Sequence, residues 1–148
     1  MIRSILGVIV AYIVMFVLTF AAFSALHLGL GTEKVFEPAS YTASKLFLVC
    51  AVGISAVIAL VGGFVCAAIS RNQTAPKVLA GLILVFGLVL AVMNLSVPDP
   101  GPRTGDVTPF EAAQKARQPN WYSFTLPIVG CVGTLVGARW KKTGARVP

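Results

Sequence analysis

Charge is what this sequence has least of. Only 11% of its 148 residues are Asp, Glu, Lys or Arg, against roughly a quarter in soluble domains. Histidine occurs once, at position 27, and cysteine three times, at 50, 66 and 131. With a single imidazole and no CxxC or Cys/His spacing, the chain has nothing from which to build a nitrogen–sulfur metal centre or a thiol redox site. The three cysteines fall inside apolar runs and read as small hydrophobes at helix contacts. Also absent are G-x-S-x-G, HExxH, P-loop and dinucleotide fingerprints. No cofactor and no enzymatic activity are therefore expected.

The scarcity of charge has a second consequence. Ionisable groups at mid-membrane are costly and mark transport pathways or proton relays, yet the long apolar runs of this chain hold no Asp, Glu, Lys or Arg at core depth. That argues against a proton-coupled carrier. It also separates the chain from the small multidrug carriers, which have this size and number of passes but depend on a membrane-embedded glutamate.

What is abundant is apolar surface: 57% of residues are hydrophobic and the mean hydropathy is +0.86. A small soluble domain leaves too much of its chain in water to hide such a composition. Crossing a hydrocarbon core of about 30 Å takes roughly 20 apolar residues, and four uncharged stretches are long enough. The sequence predicts helices over 5–28, 45–69, 77–96 and 121–140, forming a single all-α transmembrane domain, an integral membrane four-helix bundle. Ala22-Phe23-Ser24 resembles a signal cleavage site, but the apolar stretch around it exceeds the 7 to 15 residues or so of a signal core. The first segment is expected to be a retained helix.

The net charge of +7 does not point to nucleic acid, because no basic helix or aromatic–basic platform accompanies it. The basic residues sit instead beside the apolar runs. Arg3, Arg71, Lys77, Arg139, Lys141, Lys142 and Arg146 fall on one side, without an acidic residue among them. Glu33, Glu37, Asp99, Asp106 and Glu111 all fall on the other side, with Lys34, Lys45, Arg103, Lys115 and Arg117. The excess of Lys and Arg orients the basic side, with both termini, to the cytoplasm. Trp121 and Trp140 bracket the fourth helix at a spacing of about 28 Å for a rise of 1.5 Å per residue, matching the two headgroup levels.

The longest loop, 97–120, opens with Pro98-Asp99-Pro100-Gly101-Pro102, which is not helical. Thr108-Pro109-Phe110-Glu111 then reads as a capping box with proline at the first helical position. It predicts a short amphipathic helix over 109–117 on the outer surface, with Phe110 and Ala113 toward lipid or the bundle. A weak internal echo pairs Phe36-Glu37 and Leu60-Val61-Gly62 with Phe110-Glu111 and Leu135-Val136-Gly137, suggesting two parallel hairpin repeats.

Helices in lipid associate through close backbone approach at small residues. Three such seams are present: Ser55, Ala59, Gly62, Gly63 and Cys66 on the second helix; Ala80, Gly87, Ala91 and Asn94 on the third; and Ser123, Gly130, Gly133, Thr134 and Gly137 on the fourth. They support a compact bundle or an oligomer. The expected partners are membrane lipids and other transmembrane helices, in a homo-oligomer or hetero-complex. Pro127 frees a carbonyl in the fourth helix and is a candidate kink.

Two groups of residues are candidate sites. On the first helix Tyr12, Phe16, Thr19 and Phe23 recur at helical spacing and end on His27. This stripe would either line a cavity for a lipid or apolar molecule or fill notches left by glycines on neighbouring helices. At the outer rim His27 and Asn94 are expected at similar depth, beneath Glu33, Glu37, Tyr41, Asp99 and Glu111. A histidine among carboxylates suits acid–base work or a divalent cation, and equally suits a hydrogen-bonded interfacial residue. The leading expectation is a non-enzymatic accessory or scaffold subunit acting through helix–helix contacts. Binding or transport of a lipid or apolar molecule, and a membrane enzyme using the His27 rim, are the alternatives.

Arg3-Ser4-Ile5-Leu6-Gly7, Ala11-Tyr12-Ile13-Val14-Met15, Gly62-Gly63 and Trp121-Tyr122 before a glycine-rich fourth helix together resemble small uncharacterised four-pass bacterial membrane proteins. The resemblance implies four passes in a bacterial inner membrane and carries no activity with it.

Overall fold

The computed structural model describes residues 2–38, 40–96, 101–102 and 108–144. These form six helices: α1 (Ile2–Leu30), α2 (Thr32–Val35), α3 (Lys45–Ser70), α4 (Thr74–Leu95), α5 (Pro109–Lys115) and α6 (Asn120–Gly144). Four of them, α1, α3, α4 and α6, are long and apolar enough to cross a membrane. The chain is an all-α, multi-pass membrane protein, and its four long helices form the expected bundle.

Local chemistry sets the helix ends. Ser44 caps α3, its hydroxyl accepting from Phe47 N at 3.2 Å. Arg71 ends that helix in the left-handed region, at φ 54°, a conformation usually left to glycine. The carboxamide oxygen of Asn72 then accepts from Thr74 N and Ala75 N at 3.1 and 3.0 Å, satisfying the first amides of α4. Pro76 is buried in the first turn of α4, where its missing N–H costs no intrahelical bond. Asn72 also donates to Ser4 Oγ at 2.7 Å, tying the start of α1 to the α3–α4 turn. This end of the bundle, called the basic end below, carries Arg3, Arg71, Lys77 and Arg139. The opposite, loop end carries α2, α5 and the described acidic residues.

The small-residue seams are used within the chain. Gly63 abuts the backbone of Thr134, and Gly137 abuts the carbonyl of Leu60. A Cβ at Gly133 would lie 2.7 Å from Cβ of Ala59. The GxxxG of α6 therefore packs on α3, glycine facing backbone from both sides, in the most extensive helix pair of the molecule. On α4 the seam turns to α6: a Cβ at Gly87 would sit 2.6 Å from Cγ of Pro127, and one at Gly130 would sit 2.8 Å from Ile83. Gly62 receives the side chain of Met15 from α1. α6 remains helical through Pro127, whose ring fills the notch at Gly87.

Neighbours run α1–α3–α6–α4, with α1 and α4 closing the ring by a much narrower contact. At the basic end that contact is dense. Ala11, Cys66, Ala75 and Leu79 form one buried cluster, flanked by Val8, Met15 and Ile83. Gly7 lets α1 approach α3, where a Cβ would meet Cys66 O and Ser70 at 3.1 Å. The cysteines are free thiols, and Cys66 serves as a small apolar contact, as its apolar setting suggested.

The loop end has more structure than its sequence announced. After α2 the chain makes a tight hairpin in which Phe36 bridges Ala43, with Glu37 N donating to Thr42 O and Ser44 N to Val35 O, both at 2.8 Å. Val35, Phe36 and Tyr41 form an apolar cap with Leu30, Phe47 and Ala116. α5 starts where the capping signal placed it, Glu111 N donating to Thr108 Oγ1 at 3.2 Å. Its end differs from the expected residue 117. The helix stops at Lys115 because Arg117 is drawn into backbone pairing, its N–H donating to Tyr41 O at 2.7 Å and its carbonyl accepting from Ala43 N at 2.9 Å.

Candidate functional site

The first-helix stripe divides between three environments. Tyr12 and Phe16 face outward, 52% and 68% exposed in the isolated chain. Phe23 packs edge-on against Phe47 at 6.0 Å between ring centroids. Thr19, between them, lines a cavity of about 720 Å³. The stripe shares a helix face, but its neighbours change along it. The loop-end cap and the start of α3 cover Phe23 and His27, while Tyr12 points away from the contacts that bury Ala11 at the same level.

The cavity is a cleft at the loop end where α1 and α4 stand apart. Thr19 forms one lip. Ile83, Gly87, Leu90 and Ala91 of α4, with Leu126 and Pro127 of α6, make an apolar floor. Asn94 and Ser123 sit at its upper edge, joined by a hydrogen bond from Asn94 Nδ2 to Ser123 Oγ of 3.0 Å. The segment 114–118, which includes Gln114, Lys115 and Gln118, closes the top with polar and basic side chains. An apolar floor beneath a rim of amides and cations suits a molecule with a hydrocarbon body and a polar end.

The roof is fastened by a three-residue latch. Lys115 Nζ lies 2.7 Å from Glu111 Oε1 and 5.5 Å above the ring of Tyr41, whose hydroxyl is 3.5 Å from the same carboxylate oxygen. The hydrogen bond from Lys115 holds the Glu111 carboxyl below its ordinary range, and the same contact raises Lys115. The Glu111 side chain thus turns toward Lys115 and Tyr41, so the capping pattern supplies the Thr108 cap together with a tertiary tie. Phe110 is exposed; the side chain of Ala113 lies outside the described ones.

His27 and Asn94, expected to share the outer rim, have different surroundings. His27 is only 6% exposed and stands edge-on to Phe36 beneath the cap, 6.4 Å between centroids. Asn94 belongs to the cleft. Glu33 and Glu37 are exposed around the hairpin, and Asp99 lies outside the described residues. Among the described residues no three His, Cys, Asp or Glu side chains are grouped so as to hold a metal ion.

Sequence reasoning missed the contribution of Gln114, Gln118 and Ser123 to a cleft. Ser123 and Gly87 carried a signal as seam residues. The segment 114–118 carried none, because its position depends on backbone pairing with Tyr41 and Ala43.

The geometry defines a class, the multi-pass α-helical membrane protein with a lateral cleft. No family model, curated protein or solved structure matches the chain, so the reading of its function rests on the cleft itself.

Proposed function

We propose that this chain is a non-enzymatic membrane protein that binds a lipid or apolar small molecule in the cleft between α1 and α4. The observation that carries this reading is the cavity of about 720 Å³ with an apolar floor and a polar rim. Its volume falls within the range of roughly 300–1,000 Å³ usual for small-molecule sites. Thr19 is the point where the proposed apolar stripe reaches it. Asn94 donates to Ser123 Oγ, and the two side chains retain further hydrogen-bonding capacity for a polar end.

A role as an accessory subunit acting through helix contacts is the second reading. The glycines of the three small-residue seams pack within the bundle. What supports an accessory role is the outward faces of α1 and α4, where Ile9, Ile13, Phe16, Val85 and Val89 are exposed. We place both termini in the cytoplasm of a bacterial inner membrane, on the strength of the basic end.

Photo-crosslinking with a diazirine-bearing palmitate analogue in proteoliposomes tests the cleft. Labelling concentrated on Thr19, Leu90 and Leu126, and lost in Thr19→Trp, is the expected result. Labelling spread evenly over Phe16, Val85 and Val89 would overturn the cleft reading. Intermolecular crosslinks confined to those outward residues would favour the subunit reading instead. A carboxy-terminal alkaline phosphatase fusion that is active outside the cytoplasm would reverse the orientation.

A further inference from the structure

A second groove lies at the basic end, on the other side of α4, and neither the cleft nor the bundle's packing accounts for it. It holds about 360 Å³ between the first turns of α4 and the last turns of α6. Its lining includes Gln73, Lys77 and Gly81 from the α4 side and Cys131, Leu135 and Arg139 from α6.

The residues are ordered by depth. Lys77 and Gly81 are four apart on α4, and Leu135 and Arg139 four apart on α6, so each helix stacks a cation directly over an apolar position on one face. Arg139 adjoins Trp140, exposed and interfacial in type, which sets the two cations at headgroup level. Gly81, Cys131 and Leu135 then lie at acyl depth. A Cβ at Gly81 would have no atom within 4 Å, so the groove opens sideways there instead of being filled by a neighbour.

Among the described residues no acidic side chain lies at this end. The described acidic residues, Glu33, Glu37 and Glu111, belong to the α1–α3 or α4–α6 connection at the loop end. Two cations lining one apolar slot, with the nearest described carboxylates at the opposite end of the bundle, call for an anion that brings its own hydrocarbon.

We infer that the Lys77–Arg139 groove is a binding site for an anionic phospholipid, its phosphate held between the two cations and one acyl chain lying along Gly81 and Leu135. Basic residues near a membrane surface each contribute about 1 kcal/mol toward anionic lipid, or roughly fivefold in affinity. The inference does not depend on the cleft at the loop end, and the two are read at different residues.

Native mass spectrometry of the full chain from detergent micelles, supplied with dioleoylphosphatidylglycerol or dioleoylphosphatidylcholine, tests it. The wild type should retain phosphatidylglycerol in preference. Lys77→Gln with Arg139→Gln should weaken retention roughly 25-fold, with helix content by circular dichroism unchanged. Gly81→Leu keeps both charges and has room for its side chain, and it should also displace the lipid by filling the acyl slot. Arg3→Gln with Arg71→Gln, which removes the same charge from outside the groove, should change retention by less than twofold. Equal retention of the two lipids by the wild type would overturn the inference. So would equal losses in the two double variants, which would indicate diffuse surface charge, or full retention by Gly81→Leu.

Discussion

The two sides of this bundle are joined by opposite means. Between α3 and α6, glycine faces backbone from both directions: Gly63 on Thr134, Gly137 on Leu60. Between α1 and α4 the helices meet closely only at the basic end, through Ala11 and Leu79, and then separate around the cleft. The difference follows from how helices associate in lipid. With no hydrophobic drive between them, contact distance decides, and contact distance depends on small residues. On α4, Gly87 takes the Pro127 ring of α6, and across the gap Thr19 of α1 is left opposite Ile83 and Leu90. A polar roof, held by Lys115, Glu111 and backbone pairing at Arg117, closes from above what side-chain packing does not close from the side.

The comparison is most easily broken at the seam. Gly63→Ala sets a Cβ against the Thr134 backbone, which has no rotamer to yield, and should cost about 1–3 kcal/mol or more. Gly53→Ala, on the same helix with nothing within 4 Å of its Cβ, should gain up to about 1 kcal/mol from helix propensity. Thermal unfolding in detergent checks both, and equal midpoints for the two variants would show that the seam is looser than described.

On the open side the effects should be smaller. Asn94→Ala removes the bond to Ser123 across the cleft edge and should cost about 0.6 kcal/mol, the average for hydrogen bonds between membrane helices, and no more than about 1.7 kcal/mol, their maximum. Because this pair lies at the cleft, the same variant should alter labelling by the palmitate analogue, whereas Gly53→Ala should leave it unchanged. An Asn94→Ala variant with normal stability and normal labelling would leave the polar edge without a role.

The smallest effect is pH-dependent and local. Glu111 titrates below its ordinary range in the folded chain because Lys115 donates to it. The contribution of the latch is therefore complete above the unperturbed value of about 4.3. It is lost as pH falls through the lowered folded value. Hydrogen exchange should show α5 amides equally protected from neutral pH down to about pH 5 and deprotected under stronger acid, while α3 and α6 stay protected. Glu111→Gln should abolish that dependence. Uniform acid sensitivity across all helices would contradict a local latch.

Much of the bundle was legible because each signal was local. Long uncharged runs gave four helices within a few residues of their observed ends, and Thr108 marked the start of α5. The glycines of α6 marked a close approach without naming the partner. The candidate sites were legible only as residues. Tyr12, Phe16, Thr19 and Phe23 do share a helix face, yet periodicity does not tell which level of that face a neighbour covers. His27 and Asn94 were matched by depth alone, and depth does not distinguish the cap from the cleft.

The sequence by itself determined that this is a membrane protein with four helices long and apolar enough to span and with its acidic residues confined to the connections after the first and third of them, because hydropathy, length and charge act residue by residue. Only the tertiary structure decided that the seams close α3 on α6 and α4 on α6 and leave α1 apart from α4. It also decided that Arg117 pairs with Tyr41 and Ala43 to roof the resulting cleft, and that Lys77 and Arg139 line one groove. Those outcomes depend on which helix packs against a given small residue, a competition between distant segments that no local pattern records.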